Sequence, residues 1–164
     1  MTEDAITWLK SLPAFVSLRY LGKNIFVLHG SWFDTSGFIF KSTPWKMKHE
    51  NFTATGADII IAGHSGLPFM DAQQDLEWIN AGALGMPAND GKTSLWFATL
   101  QAGNNGMPRT QFHALEYDFT NTAALMTDNG LPETYALTLK TGIWDNCEIL
   151  PEIEISQQGQ EIQF

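Results

Sequence analysis

Ala57-Asp58-Ile59-Ile60-Ile61-Ala62-Gly63-His64-Ser65-Gly66 decides how the rest of the chain is read. Its run of isoleucines shows neither a helical period nor the alternation of a half-buried strand. A short, β-branched, continuously apolar run predicts a strand covered on both faces. The run stops at Gly63-His64, so an imidazole stands where the strand opens into a glycine-flanked loop. Upstream, Ile25-Phe26-Val27-Leu28 repeats the arrangement and ends abruptly in His29-Gly30-Ser31. In both places the strand fixes the Cα, and the glycines let backbone, metal or substrate come close. Imidazole is the commonest transition-metal ligand, which makes His29 and His64 candidate metal ligands. The alternative is a pair of hydrogen-bonded loop histidines.

Outward from these two strands, the signals come from turns and periodicity. Thr2 can cap a short helix with Glu3 and Asp4 in its positive first turn, Ile6, Leu9 and Leu12 sharing a face, and Pro13 closing it. Phe15 to Leu21 and Asn24 to Leu28 read as a hairpin around Leu21-Gly22-Lys23-Asn24. Pro44 can start a helix over Trp45 to Asn51. Leu76 to Asn80 reads as a strand that breaks into Ala81-Gly82-Ala83-Leu84-Gly85-Met86-Pro87. Ser94 to Gln101 and Thr110 to Phe119 read as strands around Gly103-Asn104-Asn105-Gly106. Thr120 or Asn121 then caps a helix ending near Asn129-Gly130, and Pro132 opens a second that ends at Gly142. The tail from Cys147 carries little pattern. This order predicts an α+β fold: mainly antiparallel or mixed β-sheet layers with flanking helices.

Composition narrows the function classes. The 164 residues carry 9 Lys+Arg against 18 Asp+Glu, a net charge of -9, with 44% hydrophobic and 16% charged residues. That length suits a single domain over residues 1–164 with a packed core. An acidic chain is a poor partner for nucleic acid or an anionic membrane, and no apolar run reaches the roughly 20 residues of a span. Cys147 is the only cysteine, which excludes an intramolecular disulfide and a thiolate zinc cluster. The acidic start Met1-Thr2-Glu3-Asp4 is unlike a signal peptide, so the expected location is the cytoplasm.

Three stretches, in order and each after a strand, resemble the C-terminal half of the calcineurin-like metallophosphoesterases. Phe26-Val27-Leu28-His29-Gly30-Ser31 is similar to that family's strand ending in His-Gly. Ala57 to Phe69 is similar to its strand ending in Gly-His-Thr-His and followed by Pro. Trp78-Ile79-Asn80-Ala81-Gly82-Ala83-Leu84-Gly85-Met86-Pro87, with Asp90-Gly91, is similar to its Asn-Pro-Gly-Ser-Val-Gly-x-Pro. The resemblance runs from Ile6 to Gln101, leaving 102–164 as a hairpin strand and C-terminal helices. It implies part of an αββα sandwich in which His29 and His64 ligate a divalent transition metal (Mn, Zn, Fe, Ni or Co). The complete site would hydrolyse a phosphoester through a water made acidic by two metal ions.

The chain departs from the family pattern twice. Gly66 stands where the motif has a second histidine, and Asp-x-His, Gly-Asp-x-x-Asp and Gly-Asn-His-Glu do not occur. The expectation is therefore an N-terminal metal-binding half that is absent, no catalytic residue assignable here, and a chain weakly active or inactive by itself, its metal possibly absent. The alternatives are a non-catalytic, self-associating interaction domain and a small-ligand-binding module. The first predicts a homo-oligomer with Ile25, Val27 and Ile59 to Ile61 near the joined surface. Elsewhere, His49 with Lys46, Lys48 and Glu50 reads as a solvated helix face, and His113 as a half-exposed strand residue able to approach the histidine site. Glu116 and Asp118 read as strand patterning and Asp71 and Asp75 as a solvated loop. The tryptophans read as core or interface, and Cys147 as structural.

Overall fold

A computed structural model describes all 164 residues. The elements are α1 (Glu3–Lys10), β1 (Val16–Tyr20), β2 (Lys23–Val27), α2 (Trp45–Thr55), β3 (Ile59–Ala62), β4 (Phe69–Gln73), β5 (Leu76–Asn80), β6 (Leu95–Ala102), β7 (Pro108–Leu115), α3 (Phe119–Asp128), α4 (Glu133–Thr141) and α5 (Glu152–Ser156). Five strands form one mixed sheet in the order β1-β2-β3-β5-β4, and β6 and β7 form a second, two-stranded sheet. The centre is parallel, with Ile25 to Val27 beside Ile59 to Ile61, and β3 beside Glu77 to Asn80 of β5. Joining β2 to a parallel β3 needs a crossover, which α2 supplies. The outer strands β1 and β4 run antiparallel to their neighbours. The fold is α+β, as the order of elements predicts.

The isoleucine run is covered on both sides. Ile60 and Trp78, each with no exposed surface, pack with Phe52 of α2, Leu28, Ile39 and Phe69 on one face. Ile25, Ile59 and Ile79 pack on the other face against Ala98 and Leu100 of β6 and Phe112 of β7. Thr110 adds a hydrogen bond to Glu77, 2.8 Å, that ties the hairpin to the sheet. α3 and α4 pack on each other around Ala123, Ala136 and Leu139. They join the rest where Gly91 N–H donates to the Gly142 carbonyl. A Cβ at Gly142 would lie 2.2 Å from the Lys92 carbonyl oxygen, so this junction requires glycine. No helix is long and apolar enough to cross a membrane.

Several expectations need correction. Phe69–Gln73 is an edge strand, paired with β5 through a turn at Gln74 and Asp75, and not a loop. β7 ends at Leu115, which removes Glu116 and Asp118 from the strand; the Asp118 carboxylate caps α3 by accepting from Asn121 N–H at 2.9 Å. α2 extends to Thr55, and the tail forms α5. Lys48 is wholly buried. It lies on the same stripe of α2 as Trp45 and Phe52, so helical spacing places it inward. Its ammonium donates to Asp71 at 2.5 Å and to the Lys41 carbonyl at 2.9 Å. Burial holds the Lys48 ammonium below its ordinary range, against the pull of Asp71. Glu154 of α5 closes the same region by accepting from Ser42 N–H and Oγ–H. Finally, Ile25, Ile59 and Ile60 lie inside this chain's own core and offer nothing to a second copy.

Candidate metal site at the strand ends

Parallel pairing of β2 and β3 brings their C-terminal ends side by side, and with them the two histidines. His64 Nδ1 and His29 Nε2 stand 3.1 Å apart and share a hydrogen bond. The ring centroids are 4.9 Å apart at 61°. His29 is exposed and His64 half-buried, so the pair opens to solvent. The Gly63 N–H donates to the His29 carbonyl at 2.8 Å, which locks the two strand ends together.

Local backbone geometry aims each ring. His64 sits at φ +64°, a region a side chain rarely occupies, at the apex of a turn in which Ser65 N–H donates to the Gly63 carbonyl at 2.7 Å. Asn80, fully buried at the end of β5, holds that turn from below. Its amide donates to the Gly63 carbonyl at 2.8 Å and to Ser65 Oγ at 2.7 Å, and its carbonyl oxygen accepts from Gly82 N–H at 3.0 Å. Beside the other imidazole, a Cβ on Gly30 would lie 2.7 Å from the carbonyl oxygens of Thr35 and Gly37. The loop therefore packs back against residue 30, next to His29, only because that residue is glycine. The same loop delivers Phe38, whose ring stacks on His64 at 4.4 Å and 27°. Nothing local in the sequence marks Phe38 for this site. Asn80 had a legible signal, since it ends a strand inside the motif Trp78 to Pro87.

The nitrogen separation bears on metal chemistry. Two imidazoles on one cation, with bonds of about 2.1 Å meeting at 90–109°, have their nitrogens about 3.0–3.4 Å apart. The spacing here fits two neighbouring ligands of a single ion. No group of three or more His, Cys, Asp or Glu side chains is placed to hold a metal. Gly66, at the position of the missing histidine, has φ +75° and packs under the Trp144 ring. The donor set fits part of one metal's shell and not a dinuclear centre.

The remaining candidates lie elsewhere. His113 bonds Thr99 Oγ1 across the hairpin at 2.9 Å and stacks on Phe97, so its partners belong to β6. His49 is exposed, and Asp71 is the counter-ion of Lys48. Trp78 and Trp144 are buried, and Cys147 packs against the cluster of Phe40, Trp144 and Leu150. A cleft of about 280 Å³ lies between Leu67–Phe69 and the C-terminal tail, lined by Lys41, Asn89 and Glu154, and contains neither histidine.

By sequence, the chain matches no family model and no curated protein. By structure it is similar to a metallophosphoesterase from Sphaerobacter thermophilus, with a TM-score of 0.72 and 22% identity over 87% of this chain. It is similar in the same degree, TM-score 0.72 at 17% identity over 86% of this chain, to a hypothetical protein from Pyrococcus horikoshii OT3. The chain spans only 64% and 55% of those two structures. At these identities the likeness establishes a shared α+β fold with a solved metallophosphoesterase.

Proposed function

We propose that this chain is a metallophosphoesterase-like unit in which His29 and His64 hold one divalent transition metal ion as part of a larger phosphoester-hydrolysing site. The observation that carries the reading is the 3.1 Å approach of two imidazole nitrogens at the ends of adjacent parallel strands. When bound, the ion would supply Lewis acidity for water and phosphate oxygens. This chain's own part is to present the two imidazoles. Asn80 keeps the His64 turn in place, Phe38 stacks on that ring, and Gly30 lets the loop carbonyls of Thr35 and Gly37 pack close beside His29. Two protein ligands bind an ion weakly, so the remaining ligands come from outside this chain's described residues and the chain alone turns over little or no substrate. Zn, Mn, Fe, Co and Ni all suit imidazole, and the missing ligands select among them. The location proposed for this unit is the cytoplasm.

Titration calorimetry with Mn²⁺ and Zn²⁺ tests the metal assignment. One weakly bound ion per chain is expected, lost in the His29→Ala/His64→Ala double variant. Unchanged binding in that variant removes both ligands. Turnover of a chromogenic phosphodiester by the isolated chain, with tight stoichiometric metal, overturns the statement that it is incomplete. The interaction-domain reading keeps one favouring observation, the uncovered apolar flank at α1 and β1.

A further inference from the structure

The outer strand β1 and the helix before it form the least covered part of the molecule. No residue of α1 is buried, although Ile6 and Leu9 lie on its apolar side, with Leu12 just past its end. Trp8, Leu9, Leu12, Phe15, Val16 and Leu18 are 62, 43, 47, 40, 49 and 46% exposed. Val16 and Leu18 pair with Val27 and Ile25, so they lie on the face that the β6–β7 hairpin covers further along the sheet. Tyr20 on that face packs against the hairpin cluster, whereas Val16 and Leu18 lie outside it. The outer edge of β1 has no strand beside it.

We propose that this flank is a two-fold interface between two copies of the chain, built by antiparallel pairing of β1 with β1 of the second copy. The inference is independent of metal binding. Phe15 turns to the opposite face, where it stacks on Phe26 and Trp32; the other five side chains expose on the order of 500 Å² of apolar surface between them, the scale of an interaction patch. With a polar rim this approaches the roughly 800 Å² per partner of a standard interface. The charge distribution selects the same face. None of the 18 Asp and Glu residues lies between Ala5 and Gly22, while Lys10 and Arg19 do. Two copies of a chain with net charge -9 repel least where acidic residues are missing.

The strand is also self-complementary. Centred on Leu18, antiparallel pairing sets Leu18 against Leu18, Val16 against Tyr20, and Ser17 against Arg19. The apolar pairs then fall on one face, and no like charges oppose each other. A closed, isologous pair consumes both free edges and stops there. Nothing along Val16–Tyr20 blocks an approaching strand: there is no proline and no bulge in its register with β2.

Sedimentation velocity on the full chain, from low to high micromolar concentration, tests this. The expected wild-type mass is twice 18.3 kDa. Leu18→Lys places two ammonium groups at the two-fold axis and is expected to raise the dimer Kd by at least about tenfold. Its unfolding midpoint, compared at concentrations where both proteins are monomeric, should be unchanged. In a Cys147→Ser background, Leu18→Cys should cross-link to a disulfide-bonded dimer in air. A wild-type monomer at every concentration overturns the proposal. So does association that ignores Leu18→Lys and yields no cross-link, or a different polypeptide found bound stoichiometrically over β1.

Discussion

The centre of the sheet and its β1 flank are built from similar residues and end in opposite states. Ile25, Ile59 and Ile60 are 1, 3 and 0% exposed, while Val16 and Leu18, on the strand next door, are 49 and 46% exposed. Both segments are β-branched or aliphatic. The difference lies in what covers them: the centre has α2 on one face and the hairpin on the other, and the flank has neither. Apolar composition therefore reports the capacity to be buried, and the neighbouring layer decides whether this chain uses it. The histidine site sits where the two regimes meet, on strand ends anchored in the packed centre and open on their outer side.

The strongest test of this contrast is truncation at the two places. Trp78→Ala removes a wholly buried ring and should cost about 3–5 kcal/mol, with Ile60→Ala at about 2–5 kcal/mol. Val16→Ala and Leu18→Ala should each cost the monomer less than about 1 kcal/mol, because half of each side chain already lies in water. Urea unfolding of the four variants at a concentration that keeps the chain monomeric measures all of them. Comparable losses at both places would show that the flank is packed in solution.

Asn80 sharpens the comparison at the boundary. Asn80→Ala deletes its bonds to the Gly63 carbonyl, Ser65 Oγ and Gly82 N–H. The buried groups left behind make the expected cost about 1–3 kcal/mol. The loss should extend to the site, because Asn80 holds both the Gly63 carbonyl and Ser65 Oγ on either side of His64. In nuclear magnetic resonance spectra the His29 and His64 ring signals should lose the mutual shift of a hydrogen-bonded pair. If the rings keep it while stability falls, Asn80 supports the strand and not the imidazole.

How much of this was legible in the sequence follows from what each signal depends on. The two strand-to-histidine transitions are local: a β-branched run and a glycine suffice, and the parallel register then brings the rings together. The β6–β7 hairpin, Thr2 as a cap and Gly142 as a helix stop are local in the same way. β4 is different, since Asp71 and Gln73 give it a polar, loop-like composition, and only pairing with β5 makes it a strand. Lys48 inverts the usual reading of a lysine on a helix. Its spacing from Trp45 and Phe52 marks it as inward, but its acceptors, Asp71 and the Lys41 carbonyl, are brought near by tertiary packing. No local signal marks a third metal-ligating side chain beside the two imidazoles, and tertiary packing brings none there.

Lys48 supplies the smallest effect and the one with a defined sign. Burial depresses its folded pKa below the ordinary 10.5, with the Asp71 hydrogen bond opposing. Between the two values the unfolded chain keeps a proton that the folded chain has released. Folding stability from this group therefore rises with pH across that window, and the full desolvation penalty is present below it. Tyr117 acts in the opposite direction above its ordinary 10.0, where burial raises the phenol and the folded chain keeps a proton the unfolded one loses. The clean measurement is the difference between wild type and Lys48→Met, with Tyr117 common to both, across alkaline pH below 10.5. Lys48→Met should flatten the rise, and Asp71, whose side chain is 27% exposed, can hydrate once its partner is gone. Equal slopes in the two proteins would mean that the Lys48 ammonium stays charged through the window, held by Asp71 more strongly than burial opposes it. The α2 face of the centre would then be less dry than its packing indicates.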